Sequence, residues 1–377
     1  MTRNSPLPPG GRRSDSSTNR LPERGTVIAL ENGTIMTDSP RAVIAVNPLA
    51  TSYLGLRLEH PFMGGASPLS AHLDGVRRLE DAGSAAIVLH SLFEEQISDE
   101  ETGRIHGVDP VDDRDDAPLV DMFPAAGQYP FEPHEYLEHL RRVKDAVAVP
   151  VIASLNGTAN GEWLKYAVLL EQAGADALEV NLYRVVSGFT VNAETVEGGI
   201  VQVVRDLKGV LRIPVALKLS PFFTAFANMA ARLDHAGVDG LVLFNRFYQP
   251  DIDPSSLQAI STLELSSRSE LRLRLRWLAI LHGRLGASLA VTGGIESGMD
   301  GVKAILAGAD AIQVVSALLR HGPGYLKRLV GDLREWMDSH EFAEIGHMRG
   351  RVSLKTSVDP ANFERASYIH QLHRRMP

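Results

Sequence analysis

The chain has 377 residues, 44% of them apolar and 22% charged, enough to bury one large core or two smaller ones. A formal charge of −8 leaves no basic surplus for neutralising nucleic-acid phosphates, and the absence of cysteine excludes disulfides, thiolate metal sites and a cysteine nucleophile. The sequence holds no run of eighteen apolar residues and no apolar signal core, so the expected compartment is the cytoplasm.

Residues 1–47 are rich in Pro, Gly, Ser, Arg and Asn, a composition that predicts a disordered extension; an internal start at Met36 is an alternative origin for it. From Thr51 the texture changes. Thr51–Leu58 alternates, then Pro61 leads into Phe62-Met63-Gly64-Gly65, predicting a hairpin that plugs a barrel base and a first barrel strand. A phrase of helix, small-residue turn and apolar strand then recurs, as Asp81-Ala82-Gly83, Gln172-Ala173-Gly174-Ala175-Asp176, His235-Ala236-Gly237-Val238-Asp239 and Leu306-Ala307-Gly308-Ala309-Asp310. Val149-Pro150-Val151 and Ile213-Pro214-Val215 mark two further strand starts. Eight starts, near Phe62, Ala86, Val151, Ala177, Val215, Leu241, Leu289 and Ala311, alternate with helical segments. They predict an α/β fold, a (β/α)8 TIM barrel over residues 48–340, with a doubly wound sheet as the runner-up and residues 341–377 as a C-terminal tail. Two insertions, 94–133 after strand two and 245–269 after strand six, leave the strand ends where barrel insertions cover an active site.

The most informative stretch is Leu289–Leu319. An apolar strand stops at Thr292-Gly293-Gly294-Ile295, a helix follows, and a second strand ends at Ser316-Ala317. Parallel strands joined by a right-handed crossover bring those two turns side by side, and in an eight-stranded barrel the last two loops are the usual phosphate site. Gly293, Gly294, Ser316 and Ala317 are therefore candidate phosphate ligands through their backbone N–H groups. The other strands end at Gly65-Ala66-Ser67, Ser154-Leu155-Asn156, Glu179-Val180-Asn181, Lys218-Leu219-Ser220 and Phe244-Asn245-Arg246. Small residues admit a flat ring, amides serve its edge, and a lysine stabilises negative charge on it. That inventory suits a phosphorylated planar heterocycle such as FMN, with Ala66, Ser67, Asn156, Asn181 and Lys218 around it.

Each candidate also has a structural role available. Asn181 and Asn245 could cap loops, and Gly293-Gly294 alone could be a turn. His90 is as readily a hydrogen-bonded structural residue as a rim residue facing a ligand. Arg272, Arg274 and Arg276 alternate within a helical segment and suit packing or a solvated face better than an anion clamp. The acidic run Asp112-Asp113-Arg114-Asp115-Asp116 suits a solvated loop, and no metal site is expected. Lys218, in contrast, ends an apolar strand, where an unpaired ammonium is costly.

From Thr51 to Arg334 the sequence resembles the dihydroorotate dehydrogenase family of FMN-dependent barrels. The resemblance runs through Tyr53-Leu54-Gly55-Leu56 with Pro61, Gly65-Ala66-Ser67-Pro68, Glu179-Val180-Asn181-Leu182, Leu217-Lys218-Leu219-Ser220-Pro221, Thr292-Gly293-Gly294-Ile295 and Ser316-Ala317-Leu318 with Gly322-Pro323. It is similar in particular to the bacterial dihydroorotate dehydrogenase-like branch, through Leu89-His90-Ser91-Leu92-Phe93-Glu94-Glu95-Gln96 and Phe244-Asn245-Arg246-Phe247-Tyr248-Gln249-Pro250-Asp251. The resemblance implies that Ala66 and Ser67 lie against the flavin and that Asn181 touches flavin and substrate. It implies that Lys218 holds the ring edge, that Asn245 binds substrate, and that the glycine and Ser-Ala turns hold the FMN phosphate. The implied reaction oxidises dihydroorotate to orotate in pyrimidine biosynthesis, with loss of a proton from C5 and a hydride from C6.

Three positions depart from the family pattern. Arg184 stands where the family carries its cysteine or serine base, three residues past Asn181, leaving Ser187 or Thr190 as substitutes. The lysine that usually ends strand two is replaced around Leu89-His90, and Met122–Pro133 lacks the family's asparagine-containing substrate loop. The reading is an FMN-dependent oxidoreductase with Lys218 and Ser187 as catalytic candidates, a soluble electron acceptor and a homodimeric state. The alternatives are an FMN barrel with altered substrate, a non-catalytic flavin-binding partner, and a phosphosugar barrel using Lys218 as a Schiff-base amine.

Overall fold

The computed structural model describes residues 47–93, 96, 133–157, 163–182, 185–246, 250–260, 264–358 and 360–363. The expected extension, apart from Asn47, and most of the insertion after strand two lie outside the described residues.

A two-stranded antiparallel hairpin, β1 (Thr51–Tyr53) and β2 (Leu56–Leu58), precedes the barrel. The next elements are β3 (Phe62–Gly64), α1 (Leu73–Asp81), β4 (Ile87–Phe93), α2 (Pro133–Ala146), β5 (Val151–Asn156), α3 (Trp163–Gln172) and β6 (Ala177–Asn181). They are followed by α4 (Ala193–Val210), β7 (Val215–Leu219), α5 (Phe226–His235) and β8 (Gly240–Leu243). An exposed antiparallel hairpin, β9 (Asp251–Asp253) and β10 (Gln258–Ile260), occupies the insertion after the sixth barrel strand. Then come α6 (Arg268–Leu281), β11 (Ser288–Thr292), α7 (Gly298–Ala307), β12 (Ala311–Val314), α8 (Ser316–His321), α9 (Tyr325–Ser339) and α10 (Ile345–Met348).

Strands β3 to β8, β11 and β12 close a parallel barrel in sequence order, β12 pairing with β3 and β11 with both β8 and β12. Closure excludes the doubly wound sheet. The two-residue period of each strand sorts its side chains between two cores. One residue from every barrel strand (Met63, Val88, Ile152, Ala177, Ala216, Val242, Ala290 and Ala311) forms an apolar lumen layer with Tyr53, Leu54 and Leu58 of the hairpin. The alternate residues, such as Leu178, Val180, Leu217 and Ile312, pack outward against the helices. The hairpin plugs the base, held by a bond from Leu54 N–H to Ser288 Oγ (3.2 Å) and one from Thr51 Oγ1 to the Asp310 carbonyl (3.1 Å).

The recurrent Gly-x-Asp turns have a shared geometry. Asp176 Oδ2 accepts from Val151 N–H (2.7 Å) and Lys144 (2.5 Å), and Asp239 Oδ2 from Val215 N–H (2.8 Å) and Lys208 (2.6 Å). Asp310 Oδ2 accepts from Leu289 N–H (2.8 Å), and its other oxygen pairs with Arg349 (2.8 Å). Each aspartate thus pins the start of the preceding barrel strand, at its first residue for Val151 and Val215 and its second for Leu289. Beyond residue 340, Ile345 and Met348 are buried, and Gly350, Val352 and Leu354 donate backbone hydrogen bonds to Ile305, Leu306 and Ala279. Among the described residues no helix is long and apolar enough to cross a membrane.

Candidate active site

Directly above the apolar lumen layer, toward the C-terminal strand ends, the inward residues become polar. Two positions after Ala177 comes Glu179, two after Ala216 comes Lys218, and two after Ala311 comes Gln313. Glu179 is 0% exposed and Lys218 8%. The Lys218 ammonium donates to Glu179 Oε1 at 3.3 Å, while the Gln313 amide nitrogen donates to Glu179 Oε2. The lysine that an apolar strand makes costly is therefore paired, as burial of a charge requires. Gln313 Oε1 is buried and has no hydrogen-bond partner among the described residues. Turning the amide over would aim that oxygen at the Glu179 carboxylate, so the network itself sets the orientation.

One layer further up, three strands meet in a second cluster. Ser91 Oγ and Ser154 Oγ lie 2.8 Å apart, and Asn181 Nδ2 donates to Ser154 Oγ (2.9 Å) and to Ser91 Oγ (3.2 Å). Asn181 is thereby fixed as a presented amide; a mere loop cap would bond local backbone. Asn156 pairs in register with Asn181 and Asn181 with Lys218, so the candidates on β5, β6 and β7 sit side by side at one barrel end.

The glycine turn after β11 holds φ of 85° at Gly293 and 79° at Gly294, backbone that a side chain makes strained. A Cβ on Gly294 would lie 2.7 Å from Leu271 N and 3.0 Å from Ser267 O. The turn is lined by a residue that the sequence reading passes over. Gly294 N–H donates to Ser266 Oγ (3.1 Å), and Ser266 donates through Oγ (2.8 Å) and N–H (3.0 Å) to Ser316 Oγ. With two bonds accepted, the Ser316 hydroxyl hydrogen remains to donate to a ligand oxygen. Ser316 and Ala317 open α8, and the first amides of a helix have no intrahelical acceptor. The signal for Ser266 lies next to it: Ser267-x-x-Glu270 is a capping box, formed here at the start of α6.

Gly65 comes so near β12 that a Cβ would lie 2.7 Å from Val315 Cγ2, which keeps Ala66 and Ser67 at the barrel mouth. Ser67 is buried and leads into a 3₁₀ turn over Pro68–Ser70; Ala66 is half-buried. Asn245 is half-buried, and its N–H donates to the Leu219 carbonyl (2.8 Å) beside the Lys218 strand end. Ser187 is exposed in the loop after β6, and no hydrogen bond among the described residues joins it to the cluster; Arg184 lies outside the described residues.

His90 has the structural role. Pairing of β4 with β5 shifts register between Val88 and Ser91, so Ser91 faces inward, while the imidazole lies against Tyr136 (5.0 Å) and His139 (6.2 Å) of α2. Burial there, reinforced by His139, pushes its pKa down to about 4. Arg274 is a packing residue as well, buried and donating to the Thr292 and Glu270 carbonyls, whereas Arg272 and Arg276 are exposed.

The set fits a flavin nucleotide on the chain's own evidence. It offers at Gln313 a buried acceptor without a donor among the described residues, a paired ammonium, a fixed amide, and a glycine turn flanked by two hydroxyls. Among the described residues no group of three or more His, Asp or Glu could hold a metal ion.

Comparison with known proteins agrees. A sequence pattern described as dihydroorotate dehydrogenase matches residues 131–337, more than half of the chain. The chain is 26% identical over 321 residues to a protein from Thermoplasma volcanium named dihydroorotate dehydrogenase B (NAD(+)), catalytic subunit, covering 82% of this chain and 100% of that one. It is 28% identical over 302 residues to a putative dihydroorotate dehydrogenase A (fumarate) of Aeropyrum pernix, covering 77% and 92%. A dihydroorotate dehydrogenase (quinone) of Xanthobacter autotrophicus is 34% identical over 146 residues, 37% of this chain and 40% of that one. On the strength of the matched pattern and the closed barrel whose rim carries Asn181, Lys218 and the Gly293-Gly294 turn, the chain belongs to the dihydroorotate dehydrogenase family.

Proposed function

We propose that this chain is an FMN-dependent oxidoreductase acting on CH–CH groups, oxidising dihydroorotate to orotate. The observation that carries the reading is convergence: Asn181, Lys218 and the Gly293-Gly294-Ser316 cup lie at one end of a closed barrel of this family. In this reading the Ser316 hydroxyl and the amides of Gly293 and Ala317 bind the phosphate, while Gly294, expected to bind it as well, donates its N–H to Ser266 and shapes the turn. Lys218, held by Glu179, faces the ring edge where negative charge grows, a preorganised electrostatic contribution. Asn181, immobilised by two serine hydroxyls, orients ring and substrate together, with Asn245 from β8 as a second substrate contact. Ala66, Ser67 and Asn156 complete the wall. FMN, when bound, supplies the hydride acceptor. Two further elements of the proposal are a soluble electron acceptor, with NAD(+) and fumarate to be tried first because relatives are named for them, and a homodimeric state.

One observation favours a second reading. Arg184 stands at the family's base position and cannot take up a proton, and Ser187 is exposed away from the hydrogen-bonded cluster. Both facts suit the same flavin barrel working on another CH–CH substrate, or binding flavin as a non-catalytic partner. A visible spectrum of purified protein, before and after anaerobic dihydroorotate, separates the readings. A flavin band that bleaches supports the first, and one that persists supports the second. Failure to acquire any band after reconstitution with FMN overturns both.

A further inference from the structure

The Glu179–Lys218–Gln313 unit carries an inference about redox tuning that rests on the FMN reading. A lysine at the barrel mouth has a cheaper alternative to a buried counterion, since its stem can let the ammonium reach water. This chain instead places a wholly buried carboxylate against it, at 3.3 Å. Gln313 then commits its amide nitrogen to that carboxylate and leaves its own Oε1 buried without a partner among the described residues. Buried ion pairs are weak sources of stability, and an orphaned buried acceptor is a cost. An arrangement that accepts both is poorly explained by stability.

We propose that Glu179 is a positioning residue that sets the redox potential of the bound flavin by neutralising Lys218. Lys218 alone would favour the electron-rich reduced ring. With Glu179 in place the ring meets a net-neutral pair, so the potential is held lower than the lysine alone would set it. Glu179 also limits where the ammonium can go, through the bond at Oε1, while Gln313 fixes the other oxygen. The effect acts through Lys218 and the local field and requires no contact between Glu179 and the ring.

The test is the midpoint potential of FMN in the full-length protein, measured against a reference dye for wild type, Glu179→Gln, Lys218→Met and the double variant. Glu179→Gln is expected to favour reduced over oxidised flavin at least about ten-fold relative to wild type, a positive shift of about 30 mV for a two-electron couple. Lys218→Met is expected to shift the potential in the negative direction, and the double variant to lie above Lys218→Met. That last difference isolates the carboxylate even where Glu179→Gln alone does not fold. A merely structural glutamate would change melting temperature and flavin retention without these opposite signs. Equal potentials for Lys218→Met and the double variant, or a negative shift in a folded Glu179→Gln, overturn the proposal. Wild-type protein that takes up no FMN overturns the flavin reading itself, and this is seen before any variant is made.

Discussion

Replacing Lys218 with Met tests the buried ion pair directly. Methionine keeps most of the stem volume and removes the charge, so the chief consequence is a Glu179 carboxylate at 0% exposure with Gln313 as its one remaining side-chain donor among the described residues. Breaking a buried pair by removing one partner costs about 3–5 kcal/mol. With Glu179 wholly buried, a loss of about 3–5 kcal/mol is expected for Lys218→Met at neutral pH. The assay is urea unfolding of wild type, Lys218→Met, Glu179→Gln and the double variant at neutral pH. Flavin content is held constant, because a ligand that binds only the folded chain adds stability of its own. Removing both charges leaves a neutral amide beside Gln313, and the double variant should return to within about 1 kcal/mol of wild type. Additive losses, or a Lys218→Met variant as stable as wild type, would show that the pair is not coupled as its geometry indicates.

Three further outcomes are expected. His90 is neutral in the folded chain down to about pH 4, whereas an unfolded histidine protonates near 6.5, so the unfolded state binds the extra proton in that window. Stability should fall as pH drops from 6.5 toward 4, by about 3 kcal/mol from this group, and His90→Asn should flatten the urea-midpoint profile there; an unaltered profile assigns the acid sensitivity elsewhere. Gly294→Ala places a Cβ against the Leu271 backbone at φ 79°, and a loss of about 2–4 kcal/mol with reduced flavin content is expected; an unchanged melting temperature would refute the close approach. Asn181→Ala removes the donor shared by Ser91 and Ser154, and is expected to cost about 1–2 kcal/mol and to slow flavin reduction more than ten-fold; reduction at the wild-type rate would remove Asn181 from the site.

What could be read without coordinates, and what could not, divides by the range of the interaction involved. The barrel is legible because strand starts are written locally: Pro150 and Pro214 before apolar runs, and a glycine three residues before each of Ala86, Ala177, Leu241 and Ala311 or their neighbours. Lys218 and Asn181 are legible because they interrupt apolar strands whose neighbours are buried on both sides. Glu179 interrupts its strand in the same way, yet it reads as one more strand-end residue. Its partners lie 39 and 134 positions away, and only the inward alternation of three strands shows that the three side chains share a layer. Ser266 joins the glycine cup across 28 residues to Gly294 and 50 to Ser316, through a loop whose path no local pattern specifies. The two roles left open for His90 are decided by a register shift in β4, which turns the histidine toward α2 and Ser91 into the lumen. A slip of one residue reverses every later side chain of a strand, and composition does not record it. The same logic assigns the Gly-x-Asp aspartates. Each looks like turn polarity in isolation, but the bonds that Asp176, Asp239 and Asp310 accept from the previous strand recur as barrel neighbours recur, so repetition itself is the signal that a local residue has a long-range partner.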